Sequence, residues 1–355
     1  MEKGEKSEII LEYLRNGINS GEWDTAFMPK ELELAQKFGV ARGTVRRAFD
    51  RLVQEGVIIR KKHIGTILCK KENSQKRICS VLRSSGHFYG EIFNCLQQKC
   101  AENEWHLQNV DVSGYDKPQL RKHIRRSINS FCSMPTADKF ILDGYIYRSF
   151  PMWEELLKKR PVFFDFFDSL RPAGMTGVLL DYYEIGRLGA KYLLERGSKH
   201  PLLIIGDGPV VRTRYFPAGF ANHKSKKIIN GYSDVLRKAG LDPDLYIFFA
   251  PLRKKYLFEP LYEIFSYPQC QPDGIFTDSD IAMVQVLNIA KECCYMPKYT
   301  IGCYNTPWSR GAGGFKFPSV ILSPQACADA LFEQVTTPFD LRKDVYIKPQ
   351  LHPSE

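Results

Sequence analysis

Beyond Ile78, short apolar segments alternate with segments of helical periodicity, and this alternation constrains the fold more than any other feature of the sequence. The apolar segments span 78–82, 140–147, 161–167, 177–181, 201–207 and 273–278, and the helical segments span 91–103, 152–159, 185–196, 228–239 and 281–294. Such alternation is typical of parallel sheets that are covered by helices on both faces. The sequence therefore predicts an α/β fold with parallel sheets.

The first 70 residues follow a different pattern, that of three short helices and a hairpin. Ser7 is a plausible N-cap, Pro29 suits the first turn of a helix, and Gly39 suits a helix end. The predicted helices run over 7–19, from Pro29 to Gly39 and over 42–54, and the predicted strands span 57–59 and 66–68 around a basic loop, 60–65. The pattern predicts a helix-turn-helix followed by a wing.

The third predicted helix separates apolar from basic side chains. Apolar residues recur at spacings of three and four and should face inward: Val45, Ala48, Phe49 and Leu52. Arginines remain on the outer face: Arg42, Arg46 and Arg47. Residues 40–77 hold eleven Lys and Arg against three acidic residues. This local excess of positive charge indicates a polyanionic partner.

The length and composition indicate more than one domain. A chain of 355 residues is longer than a single hydrophobic core usually grows. Residues 70–77, KKENSQKR, are polar and lack periodicity, as expected of a linker. We therefore expect a winged helix-turn-helix domain at 1–69, a linker at 70–77 and a large α/β domain at 78–355.

Several other classes of protein are disfavoured by the sequence. The N-terminus lacks the apolar core of a signal peptide and no apolar run is long enough to span a bilayer, so a cytoplasmic location is expected. The ten cysteines are scattered, without the spacing of a zinc site. None of the common hydrolase, P-loop, metalloprotease or dinucleotide motifs is present. We expect no enzyme activity, no cofactor and no metal.

The N-terminal region resembles the winged helix-turn-helix of GntR-family regulators. The matching residues are Ile18, Gly21, Pro29 to Ala35, Phe38 to Val40, Arg42, Thr44 to Arg46, Ala48, Leu52, Glu55, Gly56, Gly65 and Thr66. The sequence departs from the family at Ala41 and Gly43, where hydroxyl residues are usual. The resemblance implies sequence-specific binding of double-stranded operator DNA, by a homodimer that reads an inverted repeat.

Candidate DNA contacts follow from the hydrogen-bonding groups of the basic and polar side chains in this region. Because arginine can pair bidentately with guanine, we expect Arg42 and Arg46 to contact bases or adjacent phosphates. Thr44 and Arg47 should contact the DNA backbone. The remaining candidates flank the helix, at the start of helix two and at the tip of the wing, which would enter the minor groove: Lys30, His63, Ile64 and Gly65.

The remainder of the chain resembles the effector-binding domain of LacI-type repressors, which has the periplasmic-binding-protein fold. The matching stretches include Phe88-Tyr89, Ile141 to Gly144, Val178 to Asp181, Asn230 to Tyr232 and Asp273 to Ala282. Together with a GntR head, this is similar to arabinose-repressor-type regulators. The resemblance implies two lobes that clamp a ligand between the carboxyl ends of their strands. It places 78–181 and a helix at 324–336 in lobe one, and 182–320 and a strand at 346–351 in lobe two.

The candidate ligand contacts lie at strand ends. A sugar needs polar side chains for its hydroxyls and aromatic faces for its C–H surface. These residue types follow the predicted strands at Ser84, Ser85, Phe88, Tyr89, Asp165, Phe166, Arg212, Arg214, Asp278, Asp280, Tyr304 and Asn305.

The sequence also departs from the LacI pattern. Ile228 stands where those domains carry an effector-clamping arginine, with Lys226 and Lys227 just before it, and Tyr304 stands where they carry an aspartate. An additional stretch, 216–225, interrupts the same region.

These observations lead to a functional hypothesis with two rivals. We expect a transcriptional regulator, a repressor, whose DNA affinity is controlled by a small carbohydrate bound between the lobes. One rival is a DNA-binding protein whose C-terminal domain only dimerises, around a vestigial pocket. Another is a transport-type sugar receptor, which the basic head and the N-terminus disfavour.

Overall fold

The computed structural model describes residues 3–19, 28–55, 57–61, 65–68, 76–115, 118–132, 139–144, 153–165, 172–206, 222–249 and 254–352. The chain divides into two compact units, residues 1–75 and 76–355. No helix within these ranges is both long enough and apolar enough to cross a membrane.

The first unit is a three-helix bundle with a hairpin. Its elements are α1 (Lys3–Asn19), α2 (Glu31–Lys37), α3 (Arg42–Gln54), β1 (Ile58–Lys61) and β2 (Gly65–Leu68). The two strands pair antiparallel, as a wing requires. The inward-facing residues predicted for α3 are all buried. The prediction of Ser7 as an N-cap is wrong, because α1 begins four residues earlier, in a run of Lys and Glu that favours the helix.

The second unit contains two parallel sheets, which define two lobes. The strands of the first sheet are β3 (Lys76–Leu82), β4 (Trp105–Asp111), β5 (Lys139–Asp143), β6 (Val162–Phe164), β7 (Gly177–Leu180) and β13 (Val345–Ile347). Those of the second are β8 (Pro201–Ile205), β9 (Ile247–Phe249), β10 (Gly274–Thr277), β11 (Tyr299–Cys303), β12 (Ser319–Ile321) and β14 (Gln350–His352). The orders are β13-β7-β6-β5-β3-β4 and β14-β12-β11-β10-β8-β9, and only β14 pairs antiparallel. The predicted α/β class with parallel sheets is confirmed.

Helices cover both faces of each sheet. They are α4 (His87–Glu102), α5 (Pro118–Cys132), α6 (Trp153–Lys158), α7 (Tyr182–Glu195), α8 (Asn222–Lys238), α9 (Lys254–Ser266), α10 (Asp280–Glu292) and α11 (Pro324–Thr336). In lobe one, α4 and α11 pack on one face of the sheet, while α5 and α6 share a core with its other face. In lobe two, α7 and α8 lie on one face and α9 and α10 on the other.

The C-terminal strand differs from its prediction. Residues 346–351 were expected to form one strand in lobe two. The structure divides this segment into β13, which pairs with β7 in lobe one, and β14, which pairs with β12 in lobe two. Pro349, which has no N–H to donate, lies between the two strands. Among the described segments the chain thus crosses between the lobes after β7, after β12 and after β13.

Some elements were missed because their sequences are very short or lack a strong apolar run. Strand β4, WHLQNVD, is a half-exposed edge strand with only a few apolar residues. Strand β9 is a three-residue edge strand, and helix α5 is rich in basic residues. Lys76 and Arg77, which were expected in the linker, belong to β3 and pair with Trp105 and His106.

Two glycines allow α7 and α8 to pack at backbone distance. A Cβ atom built on Gly186 would collide with the carbonyl oxygen of Ile228, and one built on Gly231 would collide with that of Tyr183. Because these obstacles are backbone atoms, no side chain can move aside to relieve them. This crossing fixes the position of α8 against the start of lobe two.

We expect Gly186→Ala to destabilise the second unit by roughly 1 to 3 kcal/mol, because the added methyl group forces the helices apart. Gly90→Ala is the matched control. Gly90 is also helical, but its Cβ would meet nothing nearer than 3.5 Å, so the alanine should be neutral or slightly stabilising. Urea unfolding of both variants tests this, and equal effects would contradict the account.

Candidate functional site

The outer face of α3 presents its arginines to solvent. Arg42, Arg46 and Arg47 are all exposed, while Val45 on the opposite face is fully buried. The Arg42 side chain is 70% exposed, and its Nε donates to Glu31 Oε2 on α2 at 3.1 Å. An exposed helix that carries three arginines on one side has the shape and charge needed to enter the major groove of DNA.

The other predicted DNA contacts have varied surroundings. Thr44 is nearly buried, and its hydroxyl accepts a hydrogen bond from Arg47 Nη2 at 3.4 Å, so little of its side chain is available to DNA. Lys30 is exposed at the N-cap of α2. Gly65 lies in β2, opposite Lys61. His63 and Ile64 lie outside the described residues.

Arg60 is a structural residue that sequence reasoning assigned only to a basic loop. Its guanidinium contacts Glu31 at 3.0 Å and Asp50 at 2.9 Å, and it lies over the Phe49 ring at 5.8 Å from the centroid. These contacts join β1 to α2 and α3. Because Glu31 also accepts from Arg42, one carboxylate positions both the wing and an arginine of the outer face.

A cluster of charged and aromatic side chains lies at the carboxyl ends of the lobe-one strands. Arg83, just after β3, donates from Nε to Asp143 Oδ2 at 2.6 Å, and Asp143 at the end of β5 is fully buried. The Arg83 guanidinium also lies 3.8 Å from the centroid of the Tyr89 ring. These contacts hold a cation and an aromatic face side by side at this end of the sheet.

Asp165, just after β6, links the two lobes. Its Oδ2 accepts a hydrogen bond of 2.6 Å from the hydroxyl of Tyr182, the first residue of α7. Burial raises the pKa of Asp165 to about 6, although the Tyr182 hydroxyl and the Arg83 charge both oppose this rise. Asp165 also has a left-handed backbone, with φ +54°. Residues other than glycine are uncommon in this conformation, and Asp is among the types that adopt it most often.

Lobe two contributes Tyr304 and Lys224 to the same region. The Tyr304 ring lies 4.6 Å from that of Phe88 in lobe one, centroid to centroid. Lys224 Nζ, on α8, lies 5.0 Å from the Tyr304 ring centroid and 5.7 Å from that of Tyr182. Aromatic faces from both lobes and a half-buried ammonium group therefore meet at one place.

Two further candidates, Asp280 at the start of α10 and Asn305 just after β11, take part in the hydrogen bonds of the loop after β11. Asp280 is buried, and its carboxylate accepts from the Thr306 amide and hydroxyl at 2.6 and 2.9 Å and from the Ser319 hydroxyl at 2.8 Å. These described donors occupy most of its acceptor positions, so Asp280 holds the loop in place. The Asn305 amide also donates to Ser319, at 2.8 Å.

The remaining candidates divide into three groups. The amides of Ser84 and Ser85 donate to the Ser113 hydroxyl, which fixes the loop after β3. Asp278 is 4% exposed at the end of β10. Phe166, Arg212 and Arg214 lie outside the described residues.

The sequence contained signals for the residues that were missed. Arg83 and Asp143 lie at the ends of predicted strands, where the rule that selected Ser84 and Asp165 applies equally. Lys224 is four residues before Ile228 and therefore shares its helix face. Since Ile228 is fully buried, this spacing selects Lys224 rather than Lys226 or Lys227 as the lysine that faces the protein interior.

Comparison with known proteins defines the class of each unit. Residues 6–68 match the model of the bacterial regulatory proteins, gntR family. The first unit is therefore a gntR-type winged helix-turn-helix. The second has the periplasmic-binding-protein fold of LacI-family regulators, since solved structures of that family cover 79% of this chain.

Individual relatives are consistent with this division. The HTH-type transcriptional repressor NagR of Bacillus subtilis is 40% identical over 67 residues, which are 19% of this chain and 28% of NagR. The uncharacterized HTH-type transcriptional regulator YurK of the same organism is 30% identical over 115 residues, 32% of this chain and 43% of YurK. The chain thus spans less than half the length of these curated relatives.

The structural relatives share the fold at low sequence identity. A LacI transcriptional regulator from a Rhodococcus species has a TM-score of 0.61 at 12% identity, with 97% of its chain covered. A LacI-family transcriptional regulator from Enterococcus faecium with bound ribose has a TM-score of 0.58 at 14% identity, again with 97% covered.

We expect Asp165→Asn to stabilise the free protein by about 3 kcal/mol at pH 7.5, because a rise from 3.8 to about 6 corresponds to roughly two pKa units. The native state binds the extra proton, so the wild type loses stability as the pH rises through about 4 to 6. The variant lacks this loss, and its advantage should disappear near pH 4. Asparagine also tolerates the left-handed backbone.

Urea unfolding of the full-length protein at several pH values measures this effect through tryptophan fluorescence. Asp111→Asn is the control. Partial burial raises the pKa of Asp111, but hydrogen bonds from Ser113 and Ser84 lower it by more, so that variant should lose stability at pH 7.5. A destabilised Asp165→Asn protein at pH 7.5 would contradict the electrostatic account.

Proposed function

We propose that this protein is a transcriptional repressor that binds operator DNA through the winged helix-turn-helix of its first unit, residues 1–69, and is released by a small neutral carbohydrate bound between the lobes of its second unit. The observation that carries the proposal is the exposed face of α3, with three arginines on a gntR-type head. In this proposal the protein performs no catalysis.

Each head would read one half of an inverted repeat as part of a homodimer. Arg42 and Arg46 are four apart on α3 and both exposed, so they can reach neighbouring base edges in one major groove. Arg47 would contact the DNA backbone beside these bases. The residues of the wing tip, His63 to Gly65, would enter the minor groove. Two-fold symmetry of the protein would match that of the operator.

The region where Arg83, Tyr89 and Asp165 of lobe one meet Tyr304 and Lys224 of lobe two is called the cleft, and its side chains favour a neutral polyol as ligand. The rings of Tyr89, Phe88 and Tyr304 supply aromatic faces, which suit the C–H surface of a sugar. Arg83 pairs with Asp143, so neither charge calls for an ionic ligand. Asp165 and Lys224 can still exchange hydrogen bonds with hydroxyl groups. The ribose bound by the Enterococcus faecium regulator supports this ligand class.

The bound sugar would control operator binding through the contacts that cross the cleft between the lobes. The Tyr182–Asp165 hydrogen bond and the Phe88–Tyr304 ring contact both join lobe one to lobe two. A sugar that replaces or adds to these contacts changes the relative stability of the open and closed arrangements. In a dimer, this change would alter the spacing of the heads and weaken operator binding.

The proposal is tested by selecting binding sites from a random pool of duplexes with the full-length protein at physiological salt. We expect an inverted repeat for the wild type and loss of that preference for Arg42→Ala, because this exposed arginine contributes base recognition rather than stability. Arg15→Ala is the matched control, because Arg15 is a residue of α1 in the same unit and forms an ion pair with Glu55.

The control variant should select the wild-type site. Salt-sensitive binding without sequence preference by the wild type would refute the proposal.

A second candidate remains, a DNA-binding protein whose second unit only dimerises. The observation in its favour is that the cleft groups contact one another, Arg83 with Asp143 and Tyr182 with Asp165, as in a pocket filled by its own side chains. The two candidates differ in whether any sugar changes the affinity for the operator.

A further inference from the structure

Helix α5 of lobe one has a strongly basic outer face. Its sequence, PQLRKHIRRSINSFC, contains four Lys and Arg residues, one His and no acidic residue. Ile124 and Ile128 are buried against the sheet and so define the inner face of the helix. The basic residues therefore lie on the sides and outer face.

The centre of the outer face is a stripe of hydrogen-bond donors. Gln119, Lys122, Arg126 and Asn129 follow at spacings of three, four and three, which places them in one row along the helix. All four are exposed. Arg125, beside this row, is held by a hydrogen bond of 3.1 Å from its Nε to the Tyr115 hydroxyl. The stripe therefore presents two neighbouring cations with an amide on either side of them.

Lysines on two other helices of the unit form ion pairs within their own helix, unlike the two cations of the α5 stripe among the described residues. Lys158 on α6 contacts Glu155 at 2.7 Å, and Lys191 on α7 contacts Glu195 at 3.4 Å. Lys122 and Arg126 form no ion pair with any acidic residue in the described part of the chain. They are also four apart on one face, so their charges repel each other. A polyanion would relieve this repulsion.

We infer that this stripe on α5 binds phosphate groups of duplex DNA outside the sequence that α3 reads. Lys, Arg, Gln and Asn are side chains that donate hydrogen bonds to phosphate oxygens. A helix between parallel strands runs antiparallel to them, so α5 runs toward the end of the sheet where the chain enters at Lys76. This inference rests on the proposed function, which brings DNA to the protein.

The test is the salt dependence of DNA binding by full-length protein. The variant is Lys122→Gln with Arg126→Gln, measured on the selected operator alone and on the same operator extended by unrelated DNA. On the extended duplex, the slope of log K against log salt should become less steep by about 1.8 for each subunit whose stripe contacts DNA. Each lost phosphate contact changes the slope by about 0.9, and the variant loses two such contacts. On the short duplex, the slopes of variant and wild type should agree.

Lys158→Gln with Lys191→Gln is the matched control, because it also removes two positive charges, but from helices α6 and α7 of the same unit. Its slope should equal that of the wild type on both duplexes. An equal change in both double variants would indicate a general charge effect and overturn the inference. An unchanged slope for the α5 variant, with loss of binding to a polyglutamate probe, would assign the stripe to an acidic protein instead.

The outcomes also separate the inference from the proposed function. An unchanged slope with intact operator preference would overturn only the inference about α5. If the wild type fails to prefer the selected operator, the proposed function itself is wrong.

Discussion

The buried hydrogen bond between Asp165 and Tyr182 is the interaction on which the proposed ligand site depends. It joins the residue that follows lobe-one strand β6 to the first turn of α7 in lobe two, and it holds a carboxylate where burial raises its pKa. An asparagine could accept the same hydrogen bond without the electrostatic cost. A buried carboxylate with a raised pKa that links two lobes is a candidate for a functional position.

The surroundings of Arg60 and Arg42 separate a structural arginine from a candidate DNA contact. Arg60 is held by two carboxylates and an aromatic ring, and it fixes the wing to the helices. Arg42 is 70% exposed and shares only one of those carboxylates. Residue type alone does not distinguish them. Burial and the number of partners do, because a fully engaged guanidinium has few donors left for DNA.

The sequence predicted the elements whose apolar pattern is strong and long, and it missed those whose pattern is weak or very short. Helix α3 has its predicted bounds because Val45, Phe49 and Leu52 mark one face. Strand β4 was missed because an edge strand needs few apolar residues. The division of the C-terminal segment between two sheets could not be predicted, because pairing of β13 with β7 depends on residues more than 160 positions away. The candidate site was also predicted only in part. Asp165 and Tyr304 were found because they follow strands, whereas Lys224 is on a helix and reaches the cleft only through tertiary packing.

The central claim is that one protein couples a sugar site to a DNA site, and such coupling must be reciprocal. The most direct measurement is the affinity of full-length protein for neutral sugars, ribose and glucose first, with and without saturating operator DNA. The account predicts that operator weakens binding of the effective sugar by the same factor by which that sugar weakens operator binding. Equal sugar affinities in the presence and absence of operator would contradict it.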